Sequence, residues 1–124
     1  MRTNESAEDY LEAILMINNE KGSCRSIDVA RALSYTKPSV SVAMKMLREK
    51  GFVTVDDAGH LDLTESGLAI ASKVYERHDI ISRALMSLGV DKETALSDSC
   101  KIEQDLSDIS FKKIKEYLKL KGIV

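Results

Sequence analysis

Apolar residues recur along the first third of the chain at helical spacing. At about 100° per residue, Tyr10, Leu11, Ile14, Leu15 and Ile17 gather on one arc, while Asp9, Glu12 and Met16 fall opposite it without a basic residue among them. Ser6 is the expected N-cap of this helix and Gly22 its stop. A short second helix, "SIDVARALS", is expected to begin with Ser26 as cap and to turn Ile27, Ala30 and Leu33 inward. The segment "KPSVSVAMKMLREKG" restarts a helix with Pro38 in its first turn, where a missing N–H does no harm. Val40, Ala43, Met44 and Leu47 form its buried stripe, and Gly51 ends it.

The period then changes from helical to alternating. In "FVTVDDAGHLDLT", Val53 and Val55 alternate with polar residues, "DDAGH" supplies turn chemistry, and Leu61 and Leu63 alternate again, which predicts a β-hairpin. Helix, turn, helix and hairpin in that order spell a winged helix-turn-helix. Thr64 is then expected to cap a long helix ending at Gly89, followed by two more helices. The last of these has Ile109, Ile114, Tyr117 and Leu118 available to pack. The expected fold is mainly α with a small β-hairpin: a winged helix-turn-helix over residues 1–64, then a helical dimerisation domain over 65–124.

Composition adds constraints. With 44% hydrophobic and 31% charged residues and a single proline, the 124-residue chain suits a helix-rich globular protein and not a disordered one. No apolar run approaches the roughly 18 residues that would span a bilayer. "MRTNES" lacks the apolar stretch of a secretory signal, so a cytoplasmic location with reduced Cys24 and Cys100 is expected.

The overall formal charge of −2 argues against a nucleic-acid partner until it is resolved along the chain. In residues 31–50, Arg31, Lys37, Lys45, Arg48 and Lys50 stand against Glu49 alone, whereas residues 1–20 hold Arg2 against Glu5, Glu8, Asp9, Glu12 and Glu20. On the third helix, the arc opposite the buried stripe carries Pro38, Ser41, Val42, Lys45 and, farther on, Glu49. Small and hydroxyl residues allow close approach to base edges, and Val42 suits a thymine methyl. Lys37, Lys45, Arg48 and the hydroxyls of Ser39 and Ser41 suit phosphates. A solvated surface helix would look similar in isolation, but the motif order favours double-stranded DNA. His60, expected at the wing's tip, receives no role.

The acidic end needs a different partner. Asp9 and Glu12, three residues apart on a helix, diverge by only about 60° and can converge on one ion or on neighbouring ions. His78 shares an arc with Val74, Ile81 and Leu85, which fits either a core histidine bonded to main chain or a metal ligand. In "SCKIEQ", Cys100, Glu103 and Gln104 bring three donors to one arc away from Ile102 and Leu106, although cysteine is also a common small core residue.

Taken together, "AEDYLEAI", the winged helix with "KPSVSVAMKMLREKG" and "LDLTESG", "YERHDII" and "CKIEQDLSD" resemble the diphtheria-toxin-repressor family of iron- and manganese-dependent transcriptional regulators, over nearly the whole chain. The length is similar to the shorter, manganese-regulator-like members without an SH3-like domain. The resemblance implies a homodimeric repressor that binds a palindromic operator and controls metal-uptake genes, with metal at the junction of its two domains. It implies one site from Asp9, Cys100 and Glu103, and a second from Glu12 and His78, Glu103 contributing to both. Gln104 stands where the family usually has histidine, an amide oxygen in place of an imidazole. Thiolate favours Fe²⁺, Co²⁺ or Zn²⁺ and carboxylates suit Mn²⁺, so the implied cofactor is a divalent transition metal, Fe²⁺ or Mn²⁺ foremost.

Two other readings compete. A winged-helix regulator sensing oxidation through Cys100 or Cys24 is disfavoured because Glu103 beside Cys100 discourages a thiolate. A winged-helix protein-interaction module would lack a DNA role. An enzyme is not expected: the sequence has neither a phosphate-cradling Gly-rich loop nor a nucleophile motif.

Overall fold

The computed structural model describes residues 3–124, with side chains from Ala7 onward. Six helices and two strands follow in the order α1 (Thr3–Lys21), α2 (Ser26–Leu33), α3 (Lys37–Glu49), β1 (Val53–Val55), β2 (Leu61–Leu63), α4 (Glu65–Ser87), α5 (Lys92–Asp105) and α6 (Asp108–Leu120). Along the sequence, the chain divides within α4 into two compact units, the second running over Val74–Val124.

In the first unit, Tyr10, Leu11, Ile14 and Ile17 of α1 pack with Val29, Ala30, Val40, Met44 and Leu47 of the helix-turn-helix and with Val53 and Leu61 of the hairpin. The strands are antiparallel, with Val53 opposite Leu63 and Val55 opposite Leu61. A third edge joins them: the Leu61 amide donates to the Cys24 carbonyl at 2.7 Å, and Arg25 bridges to His60. Asn18 Nδ2 donates to the Leu61 carbonyl at 3.1 Å, tying α1 to the wing. Gly22 closes α1 with a φ of +83°, a conformation that suits glycine.

Three local expectations change. α1 begins at Thr3, ahead of the expected cap Ser6, whose side chain lies outside the described residues. Ser26 is the first helical residue of α2 and Arg25 is its cap, because the Asp28 carboxylate accepts the Arg25 amide at 3.0 Å and closes the turn one residue earlier. Within α2, Val29 is the deepest residue, ahead of the half-buried Ile27 and Leu33.

The join of wing to α4 is tight. Thr64 caps α4 by accepting the Gly67 amide at 3.2 Å, while its own hydroxyl donates to the Gly51 carbonyl at 2.6 Å and its amide to the Phe52 carbonyl at 3.0 Å. Gly67 lies directly over Phe52, whose carbonyl oxygen occupies the place a Cβ would take.

The second unit is built differently. Val74, Ile80 and Ile81 of α4 are buried, but so are Arg77 and Ser82. α5 buries Ala95, Ser99 and Glu103. α6 buries Leu118 and leaves Ile109 and Tyr117 exposed, so only part of its expected apolar set is packed. Lys115 Nζ meets Glu76 at 2.9 Å and Arg77 meets Asp108 at 2.8 Å, fastening α6 to α4.

Candidate metal centre and nucleic-acid interface

The outer face of α3 assembles as expected. Thr36 caps the helix by accepting the Ser39 amide at 3.3 Å, and Pro38 sits in the first turn. Lys37, Pro38, Ser39, Ser41, Val42, Lys45 and Arg48 are all exposed, and Val42 is 70% exposed, an apolar side chain held in water on an otherwise polar face. The helix is held at its entry by Tyr35, whose ring meets the buried Tyr10 ring edge-on at 5.5 Å. Arg31, Lys50 and Arg25 are exposed in the same unit.

The wing is ordered by one carboxylate. Asp56 accepts the amides of Ala58 at 2.9 Å and His60 at 2.8 Å, and its other oxygen meets His60 Nδ1 at 3.0 Å. The His60 amide above all holds the Asp56 carboxyl below its ordinary range. His60 is therefore part of the wing's frame, pairing through Nε2 with Arg25 at 3.4 Å, and not a loose residue at the tip.

The donors proposed for metal are spread over both units. In the first unit, Asp9 is half-buried and Glu12 only 8% exposed, so Glu12 does not lie on the open solvent face that the periodicity predicts. Asp9 and Glu12 each engage an interaction partner, although no basic residue shares their face of α1 in the sequence pattern. In the second unit, His78 is mostly buried at 13% exposure, and its Nε2 lies 3.5 Å from Oε2 of Glu103, itself 6% exposed. Gln104 is half-buried and engaged, and Cys100 is exposed beside the buried Ser99.

The face of α5 is thus inverted relative to its hydropathy: Glu103 is inside while Ile102 and Leu96 face water. Arg77 supplies the reason, because its Nε lies 3.7 Å from Oε1 of Glu103 and offsets the cost of burying the carboxylate. Arg77 was not among the residues expected to matter. Its position on the arc of Val74 and Ile81 was the available signal, a charge interrupting an apolar stripe.

Within neither unit do three His, Cys, Asp or Glu side chains come together among the described residues. The chemistry of the donors nevertheless fits a divalent first-row ion: carboxylates, an imidazole, a thiol and an amide oxygen. Glu103 and His78 face one another with a separation at the limit of a hydrogen bond. The thiol Cys24 belongs to no such group. It is fully buried, and burial pushes its pKa up to about 11, which makes it inert at neutral pH.

The first unit is a winged helix-turn-helix with a polar, partly basic recognition helix, and the second is a helical unit with an acid and a histidine in its interior. These are the parts of a metal-dependent DNA-binding regulator. Two family models match in succession: the iron dependent repressor N-terminal DNA binding domain over residues 2–61, and the iron dependent repressor metal binding and dimerisation domain over residues 64–120. The chain belongs to the iron-dependent repressor family, whose members regulate transcription and are not enzymes.

An uncharacterised HTH-type transcriptional regulator of Methanocaldococcus jannaschii is 32% identical over 117 residues, covering 93% of this chain and 94% of that protein. The HTH-type transcriptional regulator MntR of Bacillus subtilis is 34% identical over 105 residues, covering 85% of this chain and 74% of MntR. Among solved structures, IdeR of T. acidophilum superposes with a TM-score of 0.83 at 23% identity, over 90% of this chain and 53% of that one. The manganese regulator SloR gives 0.79 at 25% identity, over 91% and 53%. The chain spans about half the length of these solved structures.

Proposed function

We propose that this protein is a cytoplasmic, homodimeric repressor that senses Fe²⁺ or Mn²⁺ and switches metal-uptake genes through a palindromic operator. Asp9, Glu12, His78, Cys100, Glu103 and Gln104 are the ligand set, and Lys37, Pro38, Ser39, Ser41, Val42, Lys45 and Arg48 are the DNA-contacting set. Residues 1–64 are the DNA-binding domain and 65–124 the dimerisation and metal-binding domain. The observation that carries the sensing half is the buried Glu103 carboxylate opposite His78, two polar groups in an interior where apolar residues would be cheaper. Exposed Leu88, Ile109, Tyr117 and Leu120 in the second unit are apolar surface that a second copy would cover. No described helix is long and apolar enough to cross a membrane.

In a dimer, two copies of α3 would enter successive major grooves roughly 34 Å apart. Val42 would meet a base edge while Lys37, Lys45, Arg48 and the hydroxyls of Ser39 and Ser41 take phosphates. When bound, the ion supplies positive charge to the carboxylates of Asp9, Glu12 and Glu103. These residues transmit it only if they bind the ion more tightly in the DNA-competent arrangement. A coupling of about 1–3 kcal/mol would strengthen operator binding about 5- to 150-fold.

The test is Glu103→Gln, chosen over alanine because truncation would strand the buried Arg77 beside a cavity. The expected result is a folded dimer whose operator affinity no longer responds to Mn²⁺ or Fe²⁺. An undiminished metal response in this variant would remove Glu103 from the ligand set, and no metal response in the parent would end the sensing proposal. A redox reading, with Cys100 exposed, predicts instead that mild peroxide alters operator binding in metal-free protein.

A further inference from the structure

Arg77 is a buried charge with more partners than an ordinary helix-connecting residue needs. Nη1 donates to Oδ1 of Asp108 at 2.8 Å, and Nη2 donates to the carbonyl oxygens of Glu103, at 3.2 Å, and Leu106. The guanidinium also lies over the Phe111 ring, 5.0 Å from its centroid. Leu106 is the C-cap of α5 and Asp108 the first residue of α6, so these contacts plug the α5–α6 connection and satisfy carbonyls that the end of α5 leaves without donors. They fix the guanidinium plane, because its donors form a rigid fork.

One donor is left over. Nε is buried, makes no hydrogen bond among the described residues, and faces Oε1 of Glu103 at 3.7 Å. The other oxygen of the same carboxylate faces Nε2 of His78 at 3.5 Å. Arg77 therefore holds Glu103 twice, by its main-chain carbonyl and by the charge beside Oε1, and the two carboxylate oxygens are divided between Arg77 and His78. Plugging the helix connection requires Nη1 and Nη2 only.

We infer that Arg77 is the positioning residue of the metal centre: locked by Asp108 and the end of α5, it draws Oε1 of Glu103 aside and presents Oε2 beside His78 for an incoming cation. This rests on Glu103 and His78 being ligands. It differs from a plain electrostatic account in sign. A fixed positive charge near the site repels a second cation, so charge alone predicts tighter metal binding when Arg77 is neutralised, whereas positioning predicts weaker binding.

The experiment titrates Mn²⁺ into the full-length parent, Arg77→Lys, Arg77→Met, Asp108→Asn and Glu103→Gln, with folding checked by circular dichroism, and records the visible spectrum of each with Co²⁺. Arg77→Lys keeps the charge without the fork. Asp108→Asn, at an exposed position, loosens the fork and leaves the guanidinium and Glu103 in place, so one arm survives if the Arg77 variants do not fold. The expected result is Mn²⁺ affinity about 10- to 100-fold weaker in both Arg77 variants and a smaller loss in Asp108→Asn, with a Co²⁺ spectrum changed from the parent's. Parental Mn²⁺ affinity in Arg77→Lys, tighter binding in Arg77→Met, or weaker binding with a parental Co²⁺ spectrum would each overturn the inference. Glu103→Gln separates the two layers: if it weakens binding while every folded Arg77 and Asp108 variant binds as the parent does, only the role of Arg77 falls. If it binds as the parent does, the ligand assignment falls and this inference with it.

Discussion

Replacing Gly67 with alanine should destabilise the protein, against the ordinary preference of a helix. Alanine is favoured over glycine in a helix interior by about 1 kcal/mol. Here the added methyl would overlap the Phe52 carbonyl oxygen and stand 3.0 Å from the carbonyl carbon and 3.3 Å from Cα, all of it backbone that no rotamer change can move. Relief requires the first turn of α4 to lift off the end of α3. That lift strains the Thr64 amide bond to Phe52 and the Thr64 hydroxyl bond to Gly51, and disturbs the cap on the Gly67 amide. Each hydrogen bond is worth about 1 kcal/mol and the cap about another 1 kcal/mol, so some 3 kcal/mol is at stake against the propensity gain. A net loss of about 2 kcal/mol follows. It should lower the midpoint of thermal unfolding by about 4–8 °C per kcal/mol for a unit this size. Circular dichroism melts of Gly67→Ala beside Ser66→Ala, at an exposed neighbouring position, provide the comparison. Equal or greater stability in Gly67→Ala would refute the close approach of α4 to Phe52.

Lys45→Ala should weaken operator binding and reduce the magnitude of the salt slope by about 1, as read from binding at several salt concentrations; an unchanged slope removes Lys45 from the phosphate contacts. Iodoacetamide should alkylate Cys100 in the native protein and reach Cys24 only after unfolding, with mass spectrometry as the readout. Because the folded state holds the Cys24 proton up to about pH 11 while the unfolded chain releases it near 9.0, this contribution is complete below pH 9. It should then be lost at about 1.4 kcal/mol per pH unit as pH rises towards 11. Urea titrations of parent and Cys24→Ala at both ends of that window should show the smaller decline in the variant. Tyr35→Ala should cost about 1–2 kcal/mol of stability by removing the edge contact on Tyr10, and a parental urea midpoint would mean the contact carries no load.

Most of the first unit was readable because its signals are local. Thr64, Gly22 and Gly51 sit where caps and stops belong, and the shift from helical to alternating hydropathy at Val53 marks the wing. Four of the seven proposed DNA contacts, Pro38, Ser41, Val42 and Lys45, come from the same periodicity, and Lys37, Ser39 and Arg48 come from their charge or hydroxyl; all seven side chains are exposed. What failed was the cap of α2, where Asp28 reaches back to the Arg25 amide, and the inside-out face of α5. The second failure is the more informative. Hydropathy assigns a charged residue to water one residue at a time, whereas burial of Glu103 is decided by Arg77, 26 positions away in the sequence. The pair leaves only an indirect mark: Arg77 interrupts the apolar stripe of Val74 and Ile81 on α4, and nothing in the hydropathy of α5 marks Glu103.

That mark suggests why the site is built from charges. A buried Arg–carboxylate pair usually adds little stability compared with apolar residues of similar volume. Here the pair is also loose: 3.7 Å from Nε to Oε1, against 2.8 Å for the same arginine on exposed Asp108. If stability alone governed this position, the tighter contact would be the buried one, where a low dielectric makes it worth most. The reverse arrangement anchors the buried guanidinium to a surface carboxylate and leaves the interior one incompletely held, which is the condition the proposed ligand role of Glu103 needs if a cation is to compete for it.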